Sequence, residues 1–306
     1  MNTELEQIVT EVGKVVKGKD RVIRKVLAAV LAGGHVLLED IPGVGKTTLA
    51  MALGKSMELE YKRMQFTPDV LPSDIVGFTM YNSATGEFEY KKGAVFCNLF
   101  LADELNRTSS KTQSALLEVM EETKVTVDGV PHPLPTPFTV IATENPFGSS
   151  GTQRLPESQL DRFLVCLSMG YPSHEAAVDI LKNSAGEGLE QVRSVITVER
   201  LMELKKQAGA LHVEDSIYEY LVRLTEETRR EPRIALGVSP RGGIALLKMA
   251  KAMALLRGGE YVVPEDVLSV IDDVWRHRIH LNAKTRAEGM SVSDIIMEIT
   301  ERIHAV

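Results

Sequence analysis

The chain has 306 residues, 44% of them hydrophobic and 25% charged, with a formal net charge of −7. That length carries a sizeable core and room for two domains, and the balance is that of a globular protein rather than a disordered or fibrous one. The acidic excess argues against a surface built mainly to hold nucleic acid, and no apolar run reaches the roughly 18 residues that a membrane span needs.

The start, "MNTELEQIVTEVGKVV", is polar and acidic and does not read as a secretion signal, so a cytoplasmic protein is expected. The first informative element is "HVLLED" (His35 to Asp40), a short apolar run that predicts a buried parallel strand. In "KTTLAMALGKSM", Leu49, Ala50, Leu53 and Met57 recur at helical spacing. The turn between them is rich in glycine, and a strand–turn–helix corner is the setting a phosphate-binding loop requires. Gly43 and Gly45 let backbone N–H groups converge on phosphate oxygens, and the helix N-terminus adds partial positive charge. Lys46 can reach the outer phosphates and Thr47 can ligate a magnesium ion. The usual pattern G-x-x-x-x-G-K-[ST] asks for glycine where this chain has Asp40. That residue sits at the strand exit, ahead of the tight turn, and is compatible with binding if its side chain points away from the phosphates. The alternative is an ordinary corner.

A long stretch follows, "FTPDVLPSDIVGFTMYNSATGEFEYKKGAVF", in which "YNSATGEFEY" predicts a hairpin turning at Ala84-Thr85-Gly86. Lys91 and Lys92 are too short a basic run to imply contact with nucleic acid. "NLFLADELNRT" is a second apolar strand, ending in Asp103-Glu104. Such a pair beside a phosphate loop can hold the water shell of a magnesium ion (Asp103) and deprotonate an attacking water (Glu104); alone, it could simply cap a helix. "TSSKTQSALLEVMEE" begins with caps and carries Leu116, Leu117 and Met120 on one face. "VDGV" (Val127 to Val130) predicts another hairpin.

"PFTVIATENPFGS" is a further buried strand, with Asn145 at its polar end; an Asn before Pro146 also suits a plain turn. "RLPESQLDRFLVCLSM" reads as a short helix running into one more strand. On composition, Arg162 is best read as an ion-pair partner of Asp161 or Glu157. Cys97 and Cys166 lie in apolar runs and read as reduced core residues. After "GYPSHEAA" the pattern turns helical, suggesting an α/β domain over 1–170 and a helical one over 171–306. Within the latter, Met249 and Met253 read as core fillers. His277 and His280 of "WRHRIH" read as a packed or solvated face rather than a metal site.

Taken in order, "GHVLLEDIPGVGKT", "MQFTPDVLPSDIVG", "FLADELNR", "VIATENP", "LPESQLDRF" and "GVSPRGGIAL" resemble the MoxR branch of the AAA+ ATPases across most of the chain, and Asp40 is compatible with that branch. The resemblance implies a five-stranded parallel sheet in order 5-1-4-3-2 with helices on both faces, and a helical lid above the nucleotide. It implies ATP and Mg²⁺ as cofactors. Pro42, Gly43, Val44, Gly45, Lys46, Thr47 and Thr48 would form the binding loop, and Thr47 and Asp103 would serve the metal. Glu104 would be the catalytic carboxylate. Asn145 would sense the terminal phosphate and Arg241 of "SPRGG" would reach it from the lid. Arg162, or less favourably Arg154, would be the arginine finger given to a neighbouring subunit. Val16 and Gly18 would lie on the adenine side. A trans-acting arginine implies a ring, typically a hexamer. The two hairpins resemble elements that face the ring's pore in related clades; plain surface hairpins weigh equally.

The function so implied is an ATP-driven chaperone or assembly factor acting on a protein client, together with a von Willebrand factor A domain partner. Three other readings stay open. One is a nucleotide-gated scaffold with little turnover. Another is a motor subunit of magnesium-chelatase type. The third is a nucleic-acid motor, which the acidic balance disfavours.

Overall fold

The computed structural model describes residues 2–145, 155–182 and 188–305. At its centre lie five strands, β1 (Val36–Glu39), β2 (Tyr61–Gln65), β3 (Leu99–Asp103), β4 (Thr139–Glu144) and β5 (Val165–Leu167). They are all parallel and stand in the order β5-β1-β4-β3-β2, the order that the family resemblance implied. Successive residues of a strand point to opposite faces, and here each face has its own core. Val36, Leu38, Leu99, Leu101, Ile141, Val165 and Leu167 feed one side. Leu37, Phe100, Ala102, Val140, Ala142 and Cys166 feed the other. Covering both faces is why these strands read as near-continuous apolar runs instead of alternating. Each fully buried Leu or Phe contributes roughly 1.5–3 kcal/mol, so a charge at any of these positions would break the sheet locally.

Helices α1 (Thr3–Gly13), α2 (Asp20–Leu31) and α3 (Lys46–Ser56) pack on the first face. Helix α4 (Ser110–Glu122) covers the second. It starts where the Ser109 side chain accepts from the Thr112 N–H, and stops at Thr123, whose φ of 52° is left-handed. The two expected hairpins are present. Gly77–Asn82 pairs antiparallel with Glu87–Lys92, and Lys124–Val127 with Val130–Pro133. Asp128 and Gly129, with φ of 51° and 79°, make the second turn. Tyr90 of the first hairpin stacks on His132 of the second at 3.9 Å, which fixes one against the other.

The C-terminal part is built on α5 (Val198–Ala210), α6 (Asp215–Arg230), α7 (Pro240–Arg257) and α8 (Ile271–Trp275), with further helices between and after them. Ser239 caps α7 from the side chain and Gly258 ends it in the left-handed region. The region is not helical throughout: Ile234–Leu236 pairs antiparallel with His280–Leu281 as a two-stranded ribbon. A change of pattern near residue 170 does not divide the hydrophobic interior. One core runs from Leu5 of α1 through β1 and α2 to Met249 of α7 and Ile299. The helical part therefore leans on α2 and on the β5 edge of the sheet. A buried ion pair between Lys25 of α2 and Asp273 of α8 lies at this contact.

Candidate nucleotide site

Parallel strands place their C-terminal ends on one edge, and the crevice beyond that edge is where such sheets bind ligands. Here β1, β3 and β4 end in Glu39, Asp103 and Glu144. Between β1 and α3 the chain turns through Gly43 and Gly45, with φ of 82° and 94°. Only glycine adopts such angles without strain. Nothing lies within 4 Å of where a Gly43 side chain would start. Helix α3 opens at Gly45 without a side-chain cap, which leaves its first N–H groups free to receive an anion.

Asp40 is buried, and its carboxylate faces away from this turn. It accepts from Ser168 Oγ at 3.2 Å, from Gly170 N at 3.1 Å and from Met169 N. It thus ties the exit of β1 to the exit of β5, while the Lys46 ammonium donates to the Asp40 main-chain oxygen at 2.8 Å. Burial pulls the Lys46 ammonium below its ordinary range, opposed by the carboxylates of Asp40, Asp103 and Glu104.

Pro42, Gly43, Gly45, Lys46, Thr47, Thr48, Asp103, Glu104 and Asn145 line one cavity of about 390 Å³, joined by Arg63 and Gln65. The expected loop, acidic pair and polar strand end are therefore brought together. Thr143 Oγ1 donates to Asp103 Oδ1 at 2.7 Å and accepts from the Glu104 N–H at 2.8 Å. Arg63 Nη2 and Nε hold the other Asp103 oxygen at 2.7 and 3.2 Å. Gln65 Nε2 and Arg107 Nη1 donate to Glu104 Oε2 at 2.9 and 2.6 Å. Glu104 itself has a left-handed φ of 57°. A strained non-glycine backbone at a strand end is a recurrent mark of functional sites. A cluster of N–H donors, one ammonium, two threonine hydroxyls and two carboxylates in one open cavity fits a nucleotide polyphosphate with a divalent cation.

A second cluster lies at the other end of β1. Arg162 Nη2 and Arg241 Nη2 converge on one carboxylate, that of Glu121, at 3.3 and 3.1 Å. They share a cavity of about 220 Å³ with Gly34, His35 and Lys248. His35 precedes β1 and the phosphate turn follows it. The four residues of β1 then separate the two clusters by roughly 13 Å at 3.3 Å per residue. Two expectations are corrected here. Arg241 does not reach its own chain's phosphate turn, and no described residue after Asn145 lines that cavity, so the helical part does not roof it. The reason is packing: α7 is held against α2 by the shared core. Arg162 pairs with Glu121 rather than Asp161 or Glu157, because Asp161 is taken by Arg278 at 2.6 Å and Glu157 by His280 at 3.1 Å.

Val16 is buried, and a side chain on Gly18 would meet Ala176 Cβ at 3.2 Å. Beside Gly18, Lys19 bonds the carbonyls of Met169 and Tyr171. The Met169 methyl comes within 3.8 Å of where a Gly45 side chain would start, so Met169 links the segment at Lys19 to the turn, while neither Val16 nor Gly18 lines the cavity. Val44 is half-buried against the core. Pro146 and Arg154 lie outside the described residues. His277 is buried with Nε2 at 3.2 Å from the Phe163 carbonyl. Cys97 and Cys166 are buried and free, and burial pushes the Cys97 thiol up to about 12. Sequence reasoning did not find Arg63, Gln65, Arg107 or Glu121, and it placed Thr143 at the polar strand end without its bonds to Asp103 and Glu104. Position on β2 two residues apart was the only signal for Arg63 and Gln65.

With this geometry in view, the comparisons with known proteins are specific. Residues 35–165 match the family model described as ATPase family associated with various cellular activities (AAA), and residues 226–299 match that of the AAA lid domain. A Bacillus subtilis protein named YeaC, itself uncharacterized, is 47% identical over 300 residues, spanning 98% of this chain and 94% of that protein. Chaperone MoxR1 of Mycobacterium tuberculosis is 37% identical over 308 residues, spanning 98% of this chain and 81% of its own. The crystal structure of a candidate ATPase from Cytophaga hutchinsonii superposes with a TM-score of 0.93 at 38% identity, covering 100% of this chain and 96% of that one.

Proposed function

Because the chain belongs to the MoxR branch of the AAA+ ATPases, we propose that it is a Mg²⁺-dependent ATPase whose catalytic site is completed by a second copy of itself. The observation that carries the reading is the single cavity holding Lys46, Thr47, Asp103, Glu104 and Asn145 over an uncapped helix N-terminus. The turn N–H groups and Lys46 bind phosphate oxygens. Thr47 and Asp103 would hold the magnesium ion, which when bound neutralises charge on the phosphates. Glu104 accepts the proton of the attacking water, and Asn145 orients it. Gln65 and Arg107 hold the Glu104 carboxylate until then.

Arg162 and Arg241 stand on the far edge of the sheet and cannot complete this cavity in their own chain. Together they complete a neighbour's, which calls for head-to-tail assembly, and we take a closed ring of six, a hexamer, as its form. Both arginines thus act in trans, with Glu121 standing in for the phosphate until assembly.

We further propose that hydrolysis remodels a protein client, working with a partner that carries a von Willebrand factor A domain, in the cytoplasm. A relative named as a chaperone supports the client. So does the first hairpin, whose Tyr81 and Phe88 are 56% and 75% exposed, since exposed aromatic side chains favour protein contacts. The partner class rests on the family resemblance. No helix among the described residues is long and apolar enough to cross a membrane.

The test is phosphate release and native mass for wild type, Lys46→Ala, Glu104→Gln and Arg162→Ala with Mg²⁺ and ATP. The reading expects Lys46→Ala to lose binding. Glu104→Gln and Arg162→Ala should bind ATP but not hydrolyse it. If wild type binds ATP, assembles, and hydrolyses no faster than Glu104→Gln, the chain is a nucleotide-gated scaffold instead.

A further inference from the structure

Arg278 is 7% exposed, and all of its donors are spent on two short pieces of chain. Its Nε donates to Asp161 Oδ1 at 2.6 Å. One terminal nitrogen donates to the main-chain oxygens of Asp161 and Phe163 at 3.2 and 2.6 Å. The other donates to that of Leu164 at 3.1 Å and to that of Val274. These carbonyls flank Arg162 on both sides, and the His277 ring bonds the Phe163 oxygen as well. Residues 161–164 have no regular ladder of their own at this point. They lie between a helix that ends at Leu160 and a strand that starts at Val165. A planar guanidinium with five donors can satisfy several carbonyls at once, which no lysine or apolar residue can do.

The same segment reaches the second arginine. Trp275 Nε1 donates to the Gly242 carbonyl, next to Arg241, at 3.1 Å. Gly242 has no room for a side chain, which would start 2.6 Å from Val238 Cγ1 and 3.0 Å from Arg278 Cδ. So Trp275 and Arg278 together hold the chain beside both Arg162 and Arg241.

We infer that Arg278 is a positioning residue: with Trp275 and His277 it splints the main chain around Arg162 and beside Arg241, so that both guanidinium groups meet one anion. This rests on the reading above, in which that anion is the terminal phosphate on a neighbouring copy. A plain lock between the helical part and the sheet would need no bonds to three carbonyls around one arginine. Misplacing a transition-state cation by about 1 Å costs on the order of 10²-fold in rate.

The experiment is complementation between variants. Alone, Arg278→Ala and Arg162→Ala should each bind a fluorescent ATP analogue within about twofold of wild type, and hydrolyse ATP roughly 10²-fold more slowly. Glu104→Gln has a dead site but intact arginines. Mixed with it in equal amounts, either variant should regain activity, because about a quarter of random interfaces pair a sound site with sound arginines. If Arg162→Ala is rescued and Arg278→Ala is not, the splint is overturned while the ring reading stands. If neither is rescued, the ring reading itself fails. Should Arg278→Ala not fold, Asp161→Asn leaves the main-chain bonds in place. It should lower kcat about tenfold with half-saturating ATP unchanged, and be rescued in the same way. A variant that melts earlier but keeps wild-type kcat would show a purely structural anchor and refute the inference.

Discussion

Replacing Asp40 by glycine would give the phosphate loop the first glycine of the general pattern, and we predict that it weakens the protein. The Asp40 carboxylate receives one hydroxyl and two main-chain N–H groups at the ends of β1 and β5. Hydrogen bonds to a charged group contribute about 1.5–3 kcal/mol each, and a buried N–H left without a partner costs about 1–3 kcal/mol. Two stranded N–H groups set a loss of about 2–6 kcal/mol, and glycine adds about 0.5–1 kcal/mol through its freer unfolded chain. Water can reach the exposed Ser168 and the partly buried Gly170, so we place the net loss near 3–4 kcal/mol. At roughly 2 °C per kcal/mol for a chain of this size, melting should fall by about 6–8 °C. Asp40→Asn, which keeps one acceptor oxygen, should lose about half as much. The assay is thermal unfolding without nucleotide, by calorimetry or circular dichroism. A glycine variant that melts within about 2 °C of wild type, or higher, would refute the reasoning.

Other outcomes follow from the same geometry. His35 donates from Nε2 to the Met120 oxygen at 2.9 Å and accepts the Val140 N–H on Nδ1 at 3.0 Å. A second proton on Nδ1 would face a donor, and burial lowers the His35 pKa to about 4. The unfolded chain protonates near 6.5, so stability is level above that pH. It falls by about 3 kcal/mol from His35 as pH drops toward 4, and buried His277 steepens the loss. Melting temperature against pH should show this slope, reduced in His35→Gln; a flat profile from pH 7 to 5 would count against it. Arg63 competes with a cation for Asp103, so Arg63→Ala should lower the Mg²⁺ needed for half-maximal ATP binding by about 2–10-fold. Calorimetric titration reads this, and a higher Mg²⁺ demand would show that Arg63 serves the phosphates instead. Glu121→Gln frees Arg162 and Arg241, so half-maximal hydrolysis should come at a protein concentration a few-fold lower, about the value of two exposed ion pairs. A right-shifted curve would mean that Glu121 orients the arginines rather than withholding them.

The strands were legible because strand, turn and helix signals are local and because both faces of the sheet are apolar; their order came only from the family resemblance. The loop from Pro42 to Thr48 and the pair Asp103-Glu104 were legible because their chemistry is written in contiguous residues. What was not legible depends on distance. Nothing in "YKRMQ" marks Arg63 and Gln65 as neighbours of Asp103 and Glu104 until β2 pairs with β3 in register, which sets Gln65 beside Asp103. Asp40 could be judged only conditionally, since its three partners lie near residue 169. The placement of Arg241 followed the expectation of a lid above the nucleotide, whereas the apolar stripe of α7 finds its partner in α2. "WRHRIH" read as a packed or solvated face. His277 is packed and His280 half-buried, but the use of that packing appears only when Arg278 is seen straddling Arg162.

These distances also bear on when the chain can act. One short strand separates the groups we propose to bind phosphate from the cations that would stabilise its transfer. No rotamer of an arginine, at about 7 Å from Cα to its tip, spans roughly 13 Å back across the sheet. An isolated chain therefore holds Glu104 between Gln65 and Arg107 and holds both arginines on Glu121, a resting arrangement in every part. Assembly as we propose it would change the partners of Glu104, Arg107, Glu121, Arg162 and Arg241 without remodelling a strand. The splint at Arg278 lets this happen as a single event, because the two segments that carry the arginines are tied together through Arg278 and Trp275 and leave Glu121 together. Hydrolysis that rises with the square or a higher power of protein concentration at low occupancy is what such a design produces. Activity linear in protein down to concentrations where native mass shows only monomer would place a complete site within one chain, contrary to the geometry.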